Sequence, residues 1–147
     1  MNGLGRWFIM AKITFKFDDY IHKLNELRYE MDDIARKAVH EGAGIVADEV
    51  RKNLENVLSD EATGELLDSF GITPITMDKR GNLNAKVGFE GYDSKGVPNK
   101  LKARKLESGS STQKKRPFIR TAVNATKEKV NRKMMDVVNE EIKKIMG

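Results

Sequence analysis

From Tyr20 to about Leu58 the apolar residues Leu24, Leu27, Met31, Ile34, Ala38, Ile45, Val46, Val50, Leu54 and Val57 recur at intervals of three and four. That spacing puts them on one stripe of an α-helix, and a stripe of that length has to be covered by other parts of the fold. Asp18 or Asp19 stands where a capping residue belongs, just ahead of the periodic run. Gly42 and Gly44 fall inside it, each costing about 1 kcal/mol relative to alanine in a helix. They mark either a bend or a place where another backbone packs close.

The remaining chain supplies the covering surfaces. Ile13-Thr14-Phe15-Lys16-Phe17 alternates apolar and polar residues as a short strand does. Ser59 to Gly64 interrupts the helical pattern, and Thr63-Gly64-Glu65-Leu66-Leu67-Asp68-Ser69-Phe70 reads as a turn and a short helix with Leu66, Leu67 and Phe70 inward. Phe70 to Met77 and Leu83 to Phe89 both alternate, and Lys79-Arg80-Gly81-Asn82 between them has turn chemistry, so the two form a hairpin. Pro74 cannot donate to a strand ladder, which puts its strand at an edge or at a bulge. Gly91 to Asn99 has the composition of a mobile loop, and Leu101 to Leu106 fits a short helix or a strand. Pro117 suits the first turn of a helix, after which Phe118, Ile119, Ala122, Val123, Val130, Met134, Val137, Val138, Ile142 and Ile145 repeat at helical spacing. The expected fold is α+β: a long N-terminal and a long C-terminal helix packed on a small antiparallel sheet.

A chain of 147 residues with 39% hydrophobic residues is enough for one modest core. Met10-Ala11-Lys12 has the form of a translation start, so residues 1–10 read as a disordered extension and residues 11–147 as the domain. The patch Trp7-Phe8-Ile9-Met10 is too short to span a bilayer and lacks the cleavage site of a signal peptide, so a soluble chain without membrane contact is expected. The absence of cysteine excludes disulfides, thiolate zinc sites and cysteine nucleophiles.

The net charge of +5 is unevenly spread: residues 18–60 carry 11 acids against 6 bases, whereas residues 91–120 carry 9 bases against 2 acids. Such a split is either solvated surface or a basic face seeking an acidic partner, whether phosphate or another copy's acidic side. The basic face comprises Lys100, Lys102, Arg104, Lys105, Lys114 and Lys115, with Lys95, Arg116 and Arg120 alongside. A nucleic-acid-binding module using residues 95–120 is the alternative function this allows. No aromatic residue lies between Lys100 and Arg116, so the stacking platforms of single-strand binders are missing.

Catalytic patterns fail one after another. His40-Glu41 begins like the zinc-protease helix signature, but Gly44 occupies the second histidine position. His22 and His40 would stand about 27 Å apart on one helix at about 1.5 Å per residue, too far to share a metal. The pairs Asp18-Asp19 and Asp32-Asp33 are adjacent in sequence and diverge on a helix. Glycines 88, 91 and 96 are not followed by the Lys-Ser/Thr of a phosphate loop. Met134, Met135 and Met146 have the spacing of helix packing. The chain is expected not to be an enzyme and to need no cofactor or metal.

One stretch gathers several signals: Leu106-Glu107-Ser108-Gly109-Ser110 followed by Arg116-Pro117-Phe118-Ile119-Arg120-Thr121-Ala122. Together with Thr63-Gly64-Glu65-Leu66-Leu67-Asp68-Ser69-Phe70 and the long first helix, it resembles the minor neck and tail-completion proteins of long-tailed bacteriophages and prophages. There a Glu-x-Gly-Thr/Ser turn leads, through a variable basic stretch, to Arg-Pro-Phe-hydrophobic-Arg-x-Ala at the start of the last helix. The chain departs from the pattern at Ser108, where an aromatic is common, and in the basic character of Leu101 to Leu106. The resemblance implies a virion structural protein of the head–tail junction that completes the tail or joins it to the head as a ring, with other neck and tail proteins as partners. It would be made in the host cytoplasm. The residues it singles out are Glu107, Gly109, Arg116, Pro117, Phe118 and Arg120. Pro117 would preset the helix, Phe118 would anchor it, and Glu107 would pair with Arg116 or Arg120 through a two-pronged bond, either as a local clasp or as an intersubunit contact.

Overall fold

A computed structural model describes residues 7–15, 28–58 and 64–146. Strand β1 (Trp7–Phe15) precedes the long helix α1 (Arg28–Val57); a single turn, α2 (Glu65–Asp68), leads into β2 (Phe70–Ile72), β3 (Thr76–Met77) and β4 (Leu83–Glu90); α3 (Asn99–Ser108) and α4 (Ile119–Met146) complete the chain. The fold is the α+β arrangement expected. Phe17, the capping candidates Asp18 and Asp19, His22 and the start of the periodic run up to Leu27 lie outside the described residues, as do residues 59–63.

Strand β4 is the centre of the four-stranded sheet, with β1 antiparallel on one side and β2 and β3 antiparallel on the other. Its Leu83, Ala85, Val87 and Phe89 are fully buried, as the alternating pattern requires of a strand facing a helix. Thr73 to Ile75 separate β2 from β3, so Pro74 sits exposed in a break in the edge. Thr73 bridges that break: its N–H donates to the Lys86 carbonyl (2.8 Å) and its hydroxyl accepts from Lys86 N–H (3.0 Å). Pairing between β1 and β4 begins at Trp7 opposite Glu90 and shifts register between Ile9 and Ala11. Residues 7–10 are therefore strand, which moves the start of ordered pairing into the stretch read as an extension; the cross-strand partner needed to see this is not local in sequence.

Helix α1 buries Met31, Ile34, Ala35, Ala38, Val39, Ala43, Val46, Ala47, Val50 and Leu54. The alanines among them leave room for neighbours on two sides: the sheet, and α4, which runs antiparallel along α1 from Asn53 beside Phe118 to Lys37 paired with Glu141. The two glycines separate here. A Cβ on Gly42 would come within 3.1 Å of Met134 Cγ and 3.2 Å of Val130 Cγ1, so Gly42 is where the two helices approach; nothing lies within 4 Å of Gly44. From α4, Ile119, Ala122, Val130, Met134, Val137 and Val138 are buried, and Thr126 within this stripe satisfies its hydroxyl on the Ala122 carbonyl at 2.8 Å. Phe89 contacts Phe70 (centroids 5.2 Å) and, edge-on, Phe118 (6.0 Å), tying the sheet to the point where α4 starts.

Candidate functional site

The ambiguous segment Leu101 to Leu106 is helical. Asn99, Ala103, Leu106 and Glu107 of α3 are buried, an i, i+4, i+7, i+8 pattern that turns one face inward and leaves Lys100, Arg104 and Lys105 exposed. Each end of α3 meets a loop organised by one carboxylate.

Ahead of α3, Asp93 closes the Gly91 to Pro98 loop. Its Oδ1 accepts from Lys95 N–H (2.9 Å) and Val97 N–H (2.8 Å), and its Oδ2 takes the Lys102 ammonium at 2.8 Å. The Lys102 hydrogen bond and the Val97 amide hold the Asp93 carboxyl at about 2, below its ordinary 3.8. The loop read as mobile is thus cross-tied by its own side chain. Lys102 is in turn committed to Asp93 rather than to an open basic face, because one turn of helix brings it back over the loop.

Behind α3, Glu107 is 9% exposed and its carboxylate caps α4: Oε1 accepts from Phe118 N–H (2.9 Å) and Ile119 N–H (2.7 Å), and Oε2 from Arg120 N–H (3.2 Å). The first amides of a helix have no partner within it and carry its positive dipole end, so a buried carboxylate is both hydrogen-bonded and electrostatically favoured there. The two-pronged pairing with an arginine does not form. Arg120 Nε lies 3.9 Å from Oε2 with its side chain 63% exposed, and Arg116 turns away to donate from Nη1 to the Val57 carbonyl at 3.3 Å, near the end of α1. The backbone amides, fixed beside Glu107 by the helix, occupy the oxygens instead. Pro117 lies two residues before α4 rather than in its first turn, and Phe118 is fully buried.

Gly109 makes the turn between Glu107 and the loop. With φ 78° and ψ 174° it occupies a region essentially open to glycine alone, and a Cβ there would sit 3.1 Å from the Lys115 backbone nitrogen. Gly109 N–H bonds to Lys105 O (2.8 Å), Ser110 N–H to Gln113 O (2.8 Å) and Arg116 N–H to Leu106 O (2.6 Å), which folds Ser110 to Lys115 back on α3. Lys114 and Lys115 are exposed on this loop. Of the basic set, Lys102 and Lys105 line a common hollow of about 510 Å³ with Lys95, floored by Leu58, Leu66 and Leu106; Lys100, Arg104, Lys114 and Lys115 are not among its lining residues. No group of three or more His, Cys, Asp or Glu suited to a metal ion occurs among the described residues, and no helix among them is long and apolar enough to cross a membrane.

A sequence model of a family described as "Bacteriophage HK97-gp10, putative tail-component" matches residues 15–109. The chain belongs to this family. The HK97-gp10-like match agrees with the phage neck and tail resemblance read from the motifs, and it covers α1, the strands β2 to β4, α3 and Gly109. It ends where the capped loop begins, so the Arg116-Pro117-Phe118 element and α4 lie beyond the matched residues. No curated protein and no solved structure matches the chain at a significant level. Sequence reasoning put an arginine beside Glu107, where Arg120 Nε lies 3.9 Å from Oε2, but it did not anticipate the backbone amides that fill the carboxylate, and it missed Asp93. The signal for Asp93 was present: aspartate at the first position of a turn with Gly96 three residues on.

Proposed function

We propose that this protein is a structural component of the phage virion at the head–tail junction, where it completes the tail or joins it to the head as a ring of identical chains. The observation that supports this best is the buried Glu107 cap. It fixes the start of α4 and the basic loop before it in one shape, as a surface that must meet a partner repeatedly in the same geometry requires. A ring needs two unlike surfaces that fit each other, and the capped basic loop, with Lys114 and Lys115 exposed, is one of them. Other neck and tail proteins would occupy the ring's two faces.

Sedimentation velocity and negative-stain imaging of the purified protein, alone and with its neck partners, test the reading. Ring-sized particles are expected at low salt, dissociating as salt screens the contact. Monomers alone under every low-salt condition would remove the support for a ring.

A second reading is favoured by the exposure of Lys100, Lys105, Lys114 and Lys115: contact with the DNA that passes through the junction. Titration with duplex DNA at two salt concentrations separates it, because phosphate binding by several lysines weakens steeply with salt. No binding at low salt excludes it.

A further inference from the structure

We propose that a hollow between α2 and the end of β4 binds the guanidinium or ammonium side chains of the Lys114 to Arg116 loop of a second copy of this chain; this rests on the ring reading above. The hollow, of about 480 Å³, is lined by Glu65, Asp68 and Glu90 and, among the described residues, by no lysine or arginine, in a chain whose net charge is +5. Tyr92, 72% exposed, and Asn99 complete its wall.

Asn99 carries the assignment. It is 3% exposed, its backbone N–H is used on the Gly91 carbonyl (3.0 Å) and its side-chain Nδ2 on the Glu90 carbonyl (3.1 Å). Its Oδ1, buried, has no partner. With the amide donor fixed on Glu90, the vacant function is an acceptor, and buried acceptors in folded proteins are as a rule satisfied. A donor-rich cation answers both needs at once: it sets a positive charge against Asp68 and Glu90 and gives a hydrogen to Oδ1. An arginine does so with several N–H groups in one plane and can stack on an exposed tyrosine ring.

The hollow is also built rather than accidental. Glu65 is steadied by Ser94 N–H at 3.2 Å from both of its oxygens, and the same loop is held by Asp93 and Lys102. The matching cations are on this chain: Lys114 and Lys115 are exposed beside Arg116, which keeps guanidinium donors besides the Nη1 held on the Val57 carbonyl, and all three are set in a loop that Gly109 and Glu107 hold in shape. Residues 91–120 carry 9 bases against 2 acids, an excess that the 11 acids against 6 bases of residues 18–60 offset only in part. An acidic hollow on one copy and a basic loop on the next form the two unlike surfaces of a head-to-tail contact.

The test uses the full chain labelled with ¹⁵N and a synthetic peptide of residues 113–118, Gln-Lys-Lys-Arg-Pro-Phe, alongside sedimentation velocity at low salt. The expected result is peptide-induced shifts concentrated at the Asn99 side-chain amide and the Gly91 and Tyr92 backbone. The double variant Asp68→Asn/Glu90→Gln should lose roughly tenfold in peptide affinity and lose self-association, with an unchanged thermal melt. Tyr92→Ala, at an exposed position, gives an independent variant with a smaller loss of affinity. Absence of shifts at these groups overturns the proposal whether or not the chain assembles. Peptide binding without self-association of the wild type, alone or with its neck partners, overturns the second copy as occupant. Equal assembly of wild type and double variant overturns the hollow as the contact while leaving the ring reading intact.

Discussion

The two loops that flank α3 are each organised by one carboxylate, and they use it in opposite ways. Asp93 accepts from amides two and four residues further along its own loop and from a lysine nine residues on. Glu107 ignores its own loop and reaches amides eleven to thirteen residues away, at the start of another helix. The first is a self-contained turn at the surface, whereas the second is a buried joint between two helices. A local tie shapes a loop without deciding where the rest of the chain goes. A non-local cap decides the position of α4, and with it the antiparallel packing on α1.

The sharpest way to break that contrast is Glu107→Ala. It strands the amides of Phe118 and Ile119 in a buried setting, and a loss of roughly 2 to 3 kcal/mol is expected, read as a lower urea midpoint of the full chain. If Glu107→Ala costs no more than an exposed substitution, the joint is not structural. Gly109→Ala should come next, with a loss of about 1 to 2 kcal/mol from forcing a side chain into a glycine-only conformation against the Lys115 backbone. It would reach α4 through the same joint, so its effect should be less than additive with that of Glu107→Ala.

Asp93→Asn should produce the smallest change in midpoint, and a distinctive one. The Asp93 carboxyl is held at about 2 in the folded chain against 3.8 ordinarily. Its contribution is therefore complete above the ordinary value and disappears as pH falls from about 4 towards 2. Wild type and Asp93→Asn should differ near neutrality and converge in acid, in parallel urea melts at several pH values. A difference that persists at the lowest pH would mean that the loop is held by something other than this charge.

The same contrast explains what could be read from the chain. Periodicity placed α1 and α4, and alternation placed the hairpin, because those signals repeat along one element. Pro74 correctly marked the sheet edge, since a residue without an N–H has few places in a ladder. The choice between bend and close approach at Gly42 required the opposing Met134 and Val130, some ninety residues away. The strand character of residues 7–10 depended on a partner near Glu90. Glu107 was recognised as a fastening point because an acidic residue faces arginines across a glycine turn, yet attention to charges concealed the amides. Helix starts bind carboxylates as firmly as arginines do, and sequence displays only the arginines.

The break at Thr73 to Ile75 bears on how such a molecule stays usable before it meets its partners. Where β2 gives way to β3, Pro74 offers no hydrogen and Thr73 spends its own on Lys86, so that flank of the sheet presents no continuous ladder onto which a foreign strand could be zipped. Strand addition from another chain is therefore disfavoured along that flank.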